Sequence, residues 1–524
     1  MTTDEGVARQ IAELIELGRG LVQAGKLDDA AELFAGLHAL DQADPAVSRE
    51  LGIVRAMQGD LAGALPLLER AVTATPQDVL AHNVLSVCRF EAGAFEAALA
   101  SADAAIALLP NFAPALNNRG NALLRLGRAA EALAALEAAA ALTPDDAVVW
   151  LNLANVQRDL GRPEAALVNL EKALALDGRL APAHTNLANV LQDLGRREDA
   201  LARYAEALAL DPASVDAHWN RSLLNLSMGN FEAGWREYEW RWRRDAPETR
   251  PRALAAPPWL GEAPLAGRSI LLHCEQGMGD CIQFIRFAPR VAALGGRVVV
   301  EAFAPLAALF GSVEGVEQVV TRGTALPATD LQCPLMSLPL ALGAFAPPAD
   351  QAFPYLAAPA ARRAAWRERL GPASRPRVGL VASGSPTHRA DHLRSVGLER
   401  LLAAAPKGLE LHLLQKEISA DDRAAAEARG VAVWADQLTD IADTAALCEL
   451  MDLVVSVDTG VAHLAGALAR PVRILVPFDP DWRWGVAGQD SAWYPTARLL
   501  RQAARGDWSA PLAALAAELS TLAG

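Results

Sequence analysis

The pattern of apolar and polar residues divides the chain into two halves. Up to about residue 243 the apolar positions fall in helical segments, such as LGRREDALARYAEALALDP, that return in the same phase every 34 residues. From residue 268 the pattern changes to short runs of valine, isoleucine and leucine, which alternate with helical stretches. The sequence therefore predicts a helical repeat array followed by an α/β region.

Three positions of each repeat indicate how its two helices are joined. A glycine recurs at Gly25, Gly59, Gly93, Gly127, Gly161, Gly195 and Gly229, and a small residue follows five positions later at Ala30, Ala64, Ala98, Ala132, Ala166, Ala200 and Gly234. Proline keeps the same phase at Pro76, Pro110, Pro144 and Pro212, with Gly178 in the missing place. We expect the glycine to end the first helix, the small residue to permit close packing, and the proline to end the second helix.

This helix–turn–helix unit resembles the tetratricopeptide repeat. A single unit of this kind cannot bury its apolar face, so neighbouring units stack into a superhelix with a concave surface. We therefore predict an α-solenoid of about seven tetratricopeptide repeats over residues 8–243.

Asparagine recurs on one helical face of successive repeats. The positions are Asn118, Asn152, Asn186 and Asn220, one repeat apart, with Asn121, Asn155 and Asn189 three residues after the first three. Two interpretations are open: the amides bond neighbouring turns, or they form a ladder that holds an extended peptide backbone. The array resembles the repeats of O-linked N-acetylglucosamine transferase, whose asparagine ladder holds a peptide. This resemblance implies a protein acceptor bound by these seven residues.

The last repeat is rich in aromatic residues, with Trp235, Tyr238, Trp240 and Trp242 close together. We interpret these rings as a capping surface that docks the next domain, in preference to a ligand-binding box. A proline-rich segment follows and predicts a linker over residues 244–267.

The second half predicts parallel sheets covered by helices on both faces. Its predicted strands are SILLHC, RVVVEA, VEQVV, RVGLVAS, LELHLLQ, VAVWA, LVVSVD and RILVP. Two blocks, 268–360 and 376–505, predict two Rossmann-like domains that face one cleft, and residues 506–524 predict a C-terminal helix. Ligands bind such sheets at the carboxyl ends of the strands, where we expect three motifs of this sequence to lie.

The first motif, EQGMGDCIQF, follows the first strand of this half. Gly277 and Gly279 predict a tight turn before a helix that begins near Asp280. Asp280 is either the N-cap of that helix or a carboxylate directed into the cleft beside a closely approaching ligand. The pattern is neither a P-loop nor the G-x-G-x-x-G motif.

The second motif, SVDTGVAHLAGALARP, places a helix start directly after a strand that ends at Asp458. Free N–H groups beginning at Thr459 and Gly460, together with the partial positive charge of the helix, suit a diphosphate. Gly460 also lacks the side chain that would block its approach. His463 lies one turn further along, and we expect it to reach the same anion.

The third motif is the basic loop SGSPTHRADHLRS, which begins at Ser383 and contains Arg389 and Arg394. Lys416, after the next strand, adds another cation. Positive charge concentrated here in an acidic protein predicts a phosphate site, against the alternative of a solvated loop.

The second half resembles the heptosyltransferase-type, family 9 glycosyltransferases of the GT-B fold. The resemblance is carried by GxGD after the first strand and by V-D-T-G-x-A-H-L-A-x-A-x-x-x-P late in the chain. It extends to bacterial proteins that fuse tetratricopeptide repeats to such a domain, some of which glycosylate flagellin. It implies that Asp280 is the catalytic base, with His463 as a second catalytic candidate. It also implies that Asp458, Thr459, Gly460 and His463 bind the diphosphate and sugar of the donor. Together with the glycine turn and the basic loop, this predicts a donor site of Gly277, Gly279, Ser383, Arg389, Arg394, Lys416, Asp458, Thr459 and Gly460.

Composition and charge limit the classes of partner. The formal net charge of −14 opposes binding to nucleic acid or to an anionic membrane. The five cysteines are widely spaced, and the N-terminal segment is acidic where a signal peptide would be basic, so we expect a cytoplasmic protein. We also expect no membrane span, and no cofactor beyond a nucleotide-sugar substrate. Asp479 and Asp481 mimic a metal-binding D-x-D, and we interpret them as structural or acceptor-side residues.

These motifs together predict a metal-independent, inverting glycosyltransferase. It would transfer a sugar from a nucleotide-sugar to a serine or threonine of a protein, such as flagellin, held by the repeats. Two alternatives remain open: a heptosyltransferase-like enzyme that acts on lipopolysaccharide or another glycan, and a non-catalytic repeat scaffold.

Overall fold

A computed structural model describes residues 3–247, 250–348, 350–385 and 391–524 of the chain, with side chains from residue 9 onward. The chain forms two compact units, one that ends at Ala213 and one that runs from Ser214 to Gly524.

Helices build the first unit. They are α1 (Thr3–Gln23), α2 (Leu27–Leu40), α3 (Pro45–Met57), α4 (Leu61–Ala74), α5 (Val79–Glu91), α6 (Phe95–Leu108), α7 (Ala113–Arg125), α8 (Ala129–Leu142), α9 (Ala147–Asp159), α10 (Pro163–Leu176), α11 (Ala181–Asp193) and α12 (Arg197–Leu210). Their pairs follow the 34-residue period of the sequence.

The left-handed backbone of the recurring glycine lets the chain turn between the two helices of each repeat. Its φ angle lies between +70° and +83° at all seven positions, a conformation that glycine adopts readily and that strains other residues. Helices α4, α6, α8 and α12 each end two residues before the recurring proline. The alanines five residues after each glycine are at most 1% exposed, so they lie where the helices pack closely. The roles predicted for all three positions are confirmed.

The second unit combines a helical pair with two parallel sheets. The pair is α13 (Val215–Ser227) and α14 (Phe231–Tyr238). The strands are β1 (Ser269–His273), β2 (Arg297–Ala302), β3 (Val316–Thr321), β4 (Leu331–Pro334), β5 (Arg377–Val381), β6 (Glu410–Leu413), β7 (Ala432–Val433), β8 (Leu453–Val457), β9 (Val472–Val476) and β10 (Ala497–Arg501). The remaining helices are α15 (Met278–Phe284), α16 (Ala288–Ala293), α17 (Ala307–Phe310), α18 (Leu338–Ala341), α19 (Ala360–Leu370), α20 (Asp391–Arg394), α21 (Leu398–Ala404), α22 (Ala420–Arg429), α23 (Ile441–Glu449), α24 (Gly460–Ala467) and α25 (Ser509–Leu522).

The sheet order is β3-β2-β1-β4 in the four-stranded sheet and β10-β9-β8-β5-β6-β7 in the six-stranded sheet. Each pair of neighbouring strands is parallel. The central strands β5 and β8 are buried along their whole length, as expected when helices cover both faces of a sheet. This architecture confirms the predicted fold class: a tetratricopeptide solenoid followed by an α/β region consistent with the GT-B arrangement.

The aromatic residues of the last repeat divide into two groups. Trp235 and Tyr238 are almost fully buried in the core of the α/β region, and Trp235 Nε1 donates to the carbonyl oxygen of Phe345 at 2.9 Å. These two rings confirm the predicted docking surface. Trp240 instead stacks on His218 within the repeat, and the Nε1 of Trp242 donates to Glu239.

Candidate functional site

Two helix starts, one beside each sheet, meet at a pair of glycines. Helix α15 follows β1 and helix α24 follows β8, so both begin at the carboxyl ends of their strands. A Cβ atom added at Gly279 would lie 2.9 Å from Cδ2 of His463 and 3.5 Å from Cα of Gly460. Glycine at position 279 therefore permits this close approach, which brings the first two sequence motifs together.

Asp280 lies at the third position of α15 and closes the turn before it. Its Oδ2 accepts the backbone N–H of Gly277 at 2.7 Å, and its Oδ1 accepts a hydrogen bond from Nη2 of Arg483. Gly277 is the N-cap residue of this helix, so the N-cap interpretation of Asp280 is wrong. The Asp280 side chain keeps 18% of its surface exposed, and its carboxylate is thus fixed in place yet accessible.

Arg483 is the centre of this site, and the sequence motifs did not include it. Its side chain is only 7% exposed and its Nη1 donates to Asp481 at 2.8 Å, while its Nε donates to Oε1 of Gln283 at 2.6 Å. With the bond to Asp280, one guanidinium joins the segment after β9 to two residues of α15. Asp479, the other carboxylate of the D-x-D pattern, pairs with Arg505. Both aspartates of that pattern therefore have arginine partners.

The carboxyl groups at the site hold their protons more tightly than usual. Burial raises the pKa of Asp280, and Arg483 and the Gly277 N–H act in the opposite direction. Burial, with repulsion from Asp481, raises the pKa of Asp458 to about 6. The pKa values of both aspartates are therefore closer to neutral pH than that of an exposed carboxyl group.

His463 is a neutral group at pH 7. Burial, together with the positive charges of Arg483 and Arg286, lowers the pKa of its imidazole well below the usual range. Its Nδ1 is hydrogen bonded to the hydroxyl of Tyr494 at 2.9 Å, and its ring stacks on Trp484 with centroids 5.0 Å apart. It therefore carries no full positive charge at this pH.

The basic loop is only partly described. Arg389 lies outside the described residues. Arg394 donates from Nε to Asp391 at 3.0 Å, and its positive charge opposes the effect of burial, which raises the pKa of Asp458.

The other two predicted donor residues of this region follow strands further from α24. Ser383 follows β5, next to β8, and its Oγ accepts from the amide of Gln415 at 2.8 Å. Lys416 follows β6, one strand further, and its exposed ammonium donates to the carbonyl oxygen of Thr439. The structure thus pairs Asp280 with Arg483, and the charge of Arg483 also acts on Asp458 and His463. The catalytic and donor-binding roles of all these residues stay predictions.

The recurring asparagines of the first unit bond one another from repeat to repeat. Asn118 donates to Asn83 at 3.0 Å, Asn152 donates to Asn117 at 2.9 Å, and Asn186 donates to Asn155 at 2.7 Å. The hydroxyl of Tyr204 donates to Asn189, and the seven predicted residues are all half-buried. These bonds agree with the interpretation that the amides link neighbouring turns. Each bond uses one of the two N–H groups of its donor amide, so peptide binding stays a prediction.

The predicted asparagine set does not include Asn83 and Asn117, because neither residue belongs to the series that contains Asn118 or the series that contains Asn121. Their signal was present but weak: Asn117 directly precedes Asn118, and Asn83 lies 34 residues before Asn117.

Comparison with known protein families matches the repeat region and part of the α/β region. The family described as tetratricopeptide repeat matches residues 15–79, 58–113, 111–179, 145–213 and 185–247. The family described as glycosyltransferase family 9 (heptosyltransferase) matches residues 393–475. That stretch contains Arg394, Lys416, Asp458, Gly460 and His463.

One curated relative and several solved structures are similar to parts of the chain. Protein FlbA of Caulobacter vibrioides is 27% identical over 331 residues, which cover 58% of this chain and 54% of that protein. The matched region thus spans about half the length of that relative. A tetratricopeptide-repeat protein of Thermus thermophilus, TTC0263, is 27% identical over 35% of this chain and 100% of its own, with a TM-score of 0.32. A repeat protein of Parabacteroides merdae is 18% identical over 45% of this chain and 94% of its own, with a TM-score of 0.38.

The chain therefore combines tetratricopeptide repeats with a glycosyltransferase family 9 segment, as its sequence predicts. The family match supports a glycosyltransferase that carries a repeat region. Among the described residues, no helix is both long and apolar enough to cross a membrane.

Proposed function

We propose that this protein transfers a sugar from a nucleotide-sugar to a hydroxyl of a protein, with inversion at the anomeric carbon. The observation that carries the proposal is the meeting of α15 and α24 at Gly279 and Gly460. This contact brings the residue directly before Asp280 to the helix start that follows Asp458. The family 9 match over residues 393–475 supports the class of reaction.

Asp280 would act as the general base. The acceptor oxygen would attack the anomeric carbon, the bond from that carbon to the phosphate oxygen would break, and the hydroxyl proton would pass to Asp280. Each carboxylate oxygen has two lone pairs, so the bonds from Gly277 and Arg483 leave one on each oxygen for the acceptor. The raised pKa of Asp280 favours capture of this proton.

The start of α24 would hold the phosphate that leaves. Backbone N–H groups at the start of a helix and its partial positive charge favour an anion there. Arg394 would add positive charge, and neutral His463 would add a hydrogen bond. Negative charge that develops on the leaving phosphate would thus meet fixed dipoles and a cation without a metal ion.

The acceptor has two candidates. The repeats favour a protein, because superhelices of this type present an extended concave surface. The bonds among Asn152, Asn117 and neighbouring amides favour the second candidate, a glycan acceptor, because part of the amides' bonding capacity is used within the array. In that case the repeats would bind another partner.

Nucleotide binding is the first test. We would measure thermal unfolding with ADP, GDP, UDP, dTDP and CMP, since a ligand at 100 times its Kd stabilises the folded state by about 2.7 kcal/mol. We expect one nucleotide to raise the Tm, and Arg394→Ala to reduce that shift. Absence of a shift with all five nucleotides would contradict a nucleotide-sugar donor.

The acceptor is tested by the mass of a flagellin co-expressed with the enzyme and its sugar supply. An added sugar mass with the wild type, formed far more slowly with Asp280→Asn, is expected for a protein acceptor. An unmodified flagellin alongside sugar transfer to lipopolysaccharide would support the glycan acceptor instead.

A further inference from the structure

The last repeat ends in an arginine that is completely buried against the α/β region. Arg241 lies in a 3₁₀ turn, Glu239–Arg243, directly after α14, and its side chain is 0% exposed. Its Nε and Nη2 donate to the two carboxylate oxygens of Glu275 at 3.0 and 2.9 Å. Nη2 also donates to Ser337 at 2.7 Å, and Nη1 donates to Glu239 at 2.6 Å. The planar guanidinium is therefore held in one orientation by a two-point ion pair.

Glu275 and its neighbour form the turn between β1 and the catalytic helix. Glu275 is 5% exposed, and Gln276 has a φ of +56°, in the left-handed region that residues with a side chain rarely adopt. Tyr238 belongs to the same repeat as Arg241. Its hydroxyl is hydrogen bonded to the side-chain amide of Gln276, with distances of 3.2 Å to Oε1 and 3.1 Å to Nε2. Two side chains of the last repeat thus hold two successive residues of this turn.

The turn leads directly to Asp280. Gly277 follows Gln276, and its N–H is the group that Asp280 Oδ2 accepts. A change in the backbone at Gln276 would move this N–H and would release one of the two contacts that fix the carboxylate.

We infer that Arg241 is a positioning residue for Asp280: through Glu275 and the Gln276 turn, the last repeat sets the geometry of the proposed base. This inference rests on the proposed function, and it assigns the terminal repeat a part in the transfer step besides any part in binding an acceptor. A buried ion pair is weak evidence for stability, since apolar residues of similar size often stabilise a core as well. Orientation of the turn is the property that a two-point Arg–Glu pair supplies and an apolar contact does not.

The first test needs no substrate. Arg241→Lys keeps the positive charge opposite Glu275 but loses the two-point geometry, and Arg243→Lys makes the same change at an exposed position of the same turn. Hydrogen–deuterium exchange of the peptide 274–284 should be at least tenfold faster in Arg241→Lys than in the wild type, and unchanged in Arg243→Lys. Equal exchange in all three proteins would overturn the inference.

The second test measures transfer to the co-expressed flagellin at matched enzyme levels. We expect Arg241→Lys to reduce the rate of modification at least tenfold without changing the thermal shift given by the best nucleotide of the panel. Because Arg241 acts through Asp280, adding Arg241→Lys to Asp280→Asn should change the residual rate less than twofold. A tenfold further loss in the double variant would show a separate role and overturn the inference.

A second variant is available if Arg241→Lys does not fold. Tyr238→Phe removes only the hydroxyl that is bonded to Gln276, and we expect it to speed the exchange of peptide 274–284. Unchanged exchange in this variant would overturn the inference. If the wild type modifies neither flagellin nor lipopolysaccharide, the proposed function fails. The exchange measurement then still decides whether the last repeat orients this turn.

Discussion

The carboxylate of Asp280 and the guanidinium of Arg483 form an ion pair across 203 positions of sequence. Asp280 belongs to the helix after the first strand of the four-stranded sheet, and Arg483 follows β9 of the six-stranded sheet. The proposed base of one sheet is thus held by a cation from the other. The pair lowers the pKa of Asp280, which burial raises, and it is one of several contacts between the two sheets.

Asp280→Asn should remove most of the sugar transfer and leave the fold intact. The amide keeps the size and one acceptor oxygen of the carboxylate but cannot take a proton, and loss of a general base typically costs ~10²–10⁴-fold in rate. Modification of co-expressed flagellin and the thermal shift with nucleotides measure the two properties separately. Turnover at the wild-type rate would assign the base to another residue.

Arg483→Gln should destabilise the protein by about 3–5 kcal/mol, because the largely buried Asp280 would lose its charged partner. Arg505→Gln is the matched control, since its ion pair with Asp479 is about half exposed and such pairs contribute ~0–1 kcal/mol. Urea unfolding compares the two variants. A similar loss of unfolding free energy in both variants would show that the buried ion pair stabilises the protein no more than the exposed one.

The same Arg483→Gln substitution should move the acid limb of the pH–activity profile to higher pH. Arg483 is the main influence that lowers the pKa of Asp280, against the larger effect of burial. Without it the carboxyl would hold its proton at higher pH, so the fraction of ionised base would fall earlier on acidification. An acid limb at the wild-type position would contradict the role of Asp280 as the titrating base.

Asp458 should make the folded state less stable as the pH rises from about 4 to about 6. Its pKa is about 6 in the folded protein and 3.8 in its ordinary state, so in this range the folded chain retains a proton that the unfolded chain has lost. Asp458→Asn should therefore remove roughly 2–3 kcal/mol from the difference in unfolding free energy between pH 4 and pH 7. Asp421→Asn, at an exposed position, is the control. An equal change in the pH dependence of its unfolding free energy would contradict this prediction.

Gly279→Ala should impair transfer, because the new methyl group would lie 2.9 Å from the ring of His463 and force α15 and α24 apart. Gly311→Ala adds the same group at a site where its closest neighbour is 3.6 Å away, and it should leave the rate within twofold of the wild type. Measurement of flagellin modification and of Tm in both variants tests the packing role. A wild-type rate in Gly279→Ala would mean that the close approach of the two helices is not needed.

Replacing Asn152, Asn186 and Asn220 by alanine should reduce transfer to a protein acceptor and spare slow hydrolysis of the donor. Each amide contact contributes ~0.5–1.5 kcal/mol, so single substitutions have small effects. The higher helix propensity of alanine offsets part of the loss of the inter-repeat bonds. Flagellin modification and nucleotide release from the donor are measured together.

The control for that variant is Asn117→Ala, which removes the bond that Asn152 donates while keeping Asn152 itself. If Asn117→Ala lowers transfer as much as the triple substitution does, the asparagines act through the geometry of the array and not by holding an acceptor.

Local signals in the sequence predict most of the fold. The recurring glycine can be recognised because a left-handed turn is needed at the same place in every repeat. Eight of the ten strands among the described residues coincide with strands predicted from the sequence. β4 was missed because its four residues, Leu331–Pro334, include Gln332 and Pro334 and form no such run. β10 has no clear signal because Arg498 interrupts it and leaves only Leu499 and Leu500 as adjacent large apolar residues.

The central residues of the site could not be predicted in the same way. Asp280 and Gly460 stand directly after strands, where position alone suggests chemistry. Arg483 and Arg241 are two of many arginines, and their partners lie 203 and 34 residues away in sequence. Only the folded chain brings these groups together. An ion pair between distant residues depends on how helices and strands pack, and it produces no repeating pattern in the sequence.

The burial of Trp235 sets where the α/β region can be separated from the rest of the chain. Its indole packs edge-on against Phe284 and Trp482, so a fragment cut at the proline-rich linker, after residue 243, would leave a ring-sized hole in the core. Loss of a buried tryptophan typically costs about 3–5 kcal/mol, which is a large part of the stability of a typical domain. A fragment of the α/β region that keeps this ring must therefore include α14, as the compact unit that begins at Ser214 does.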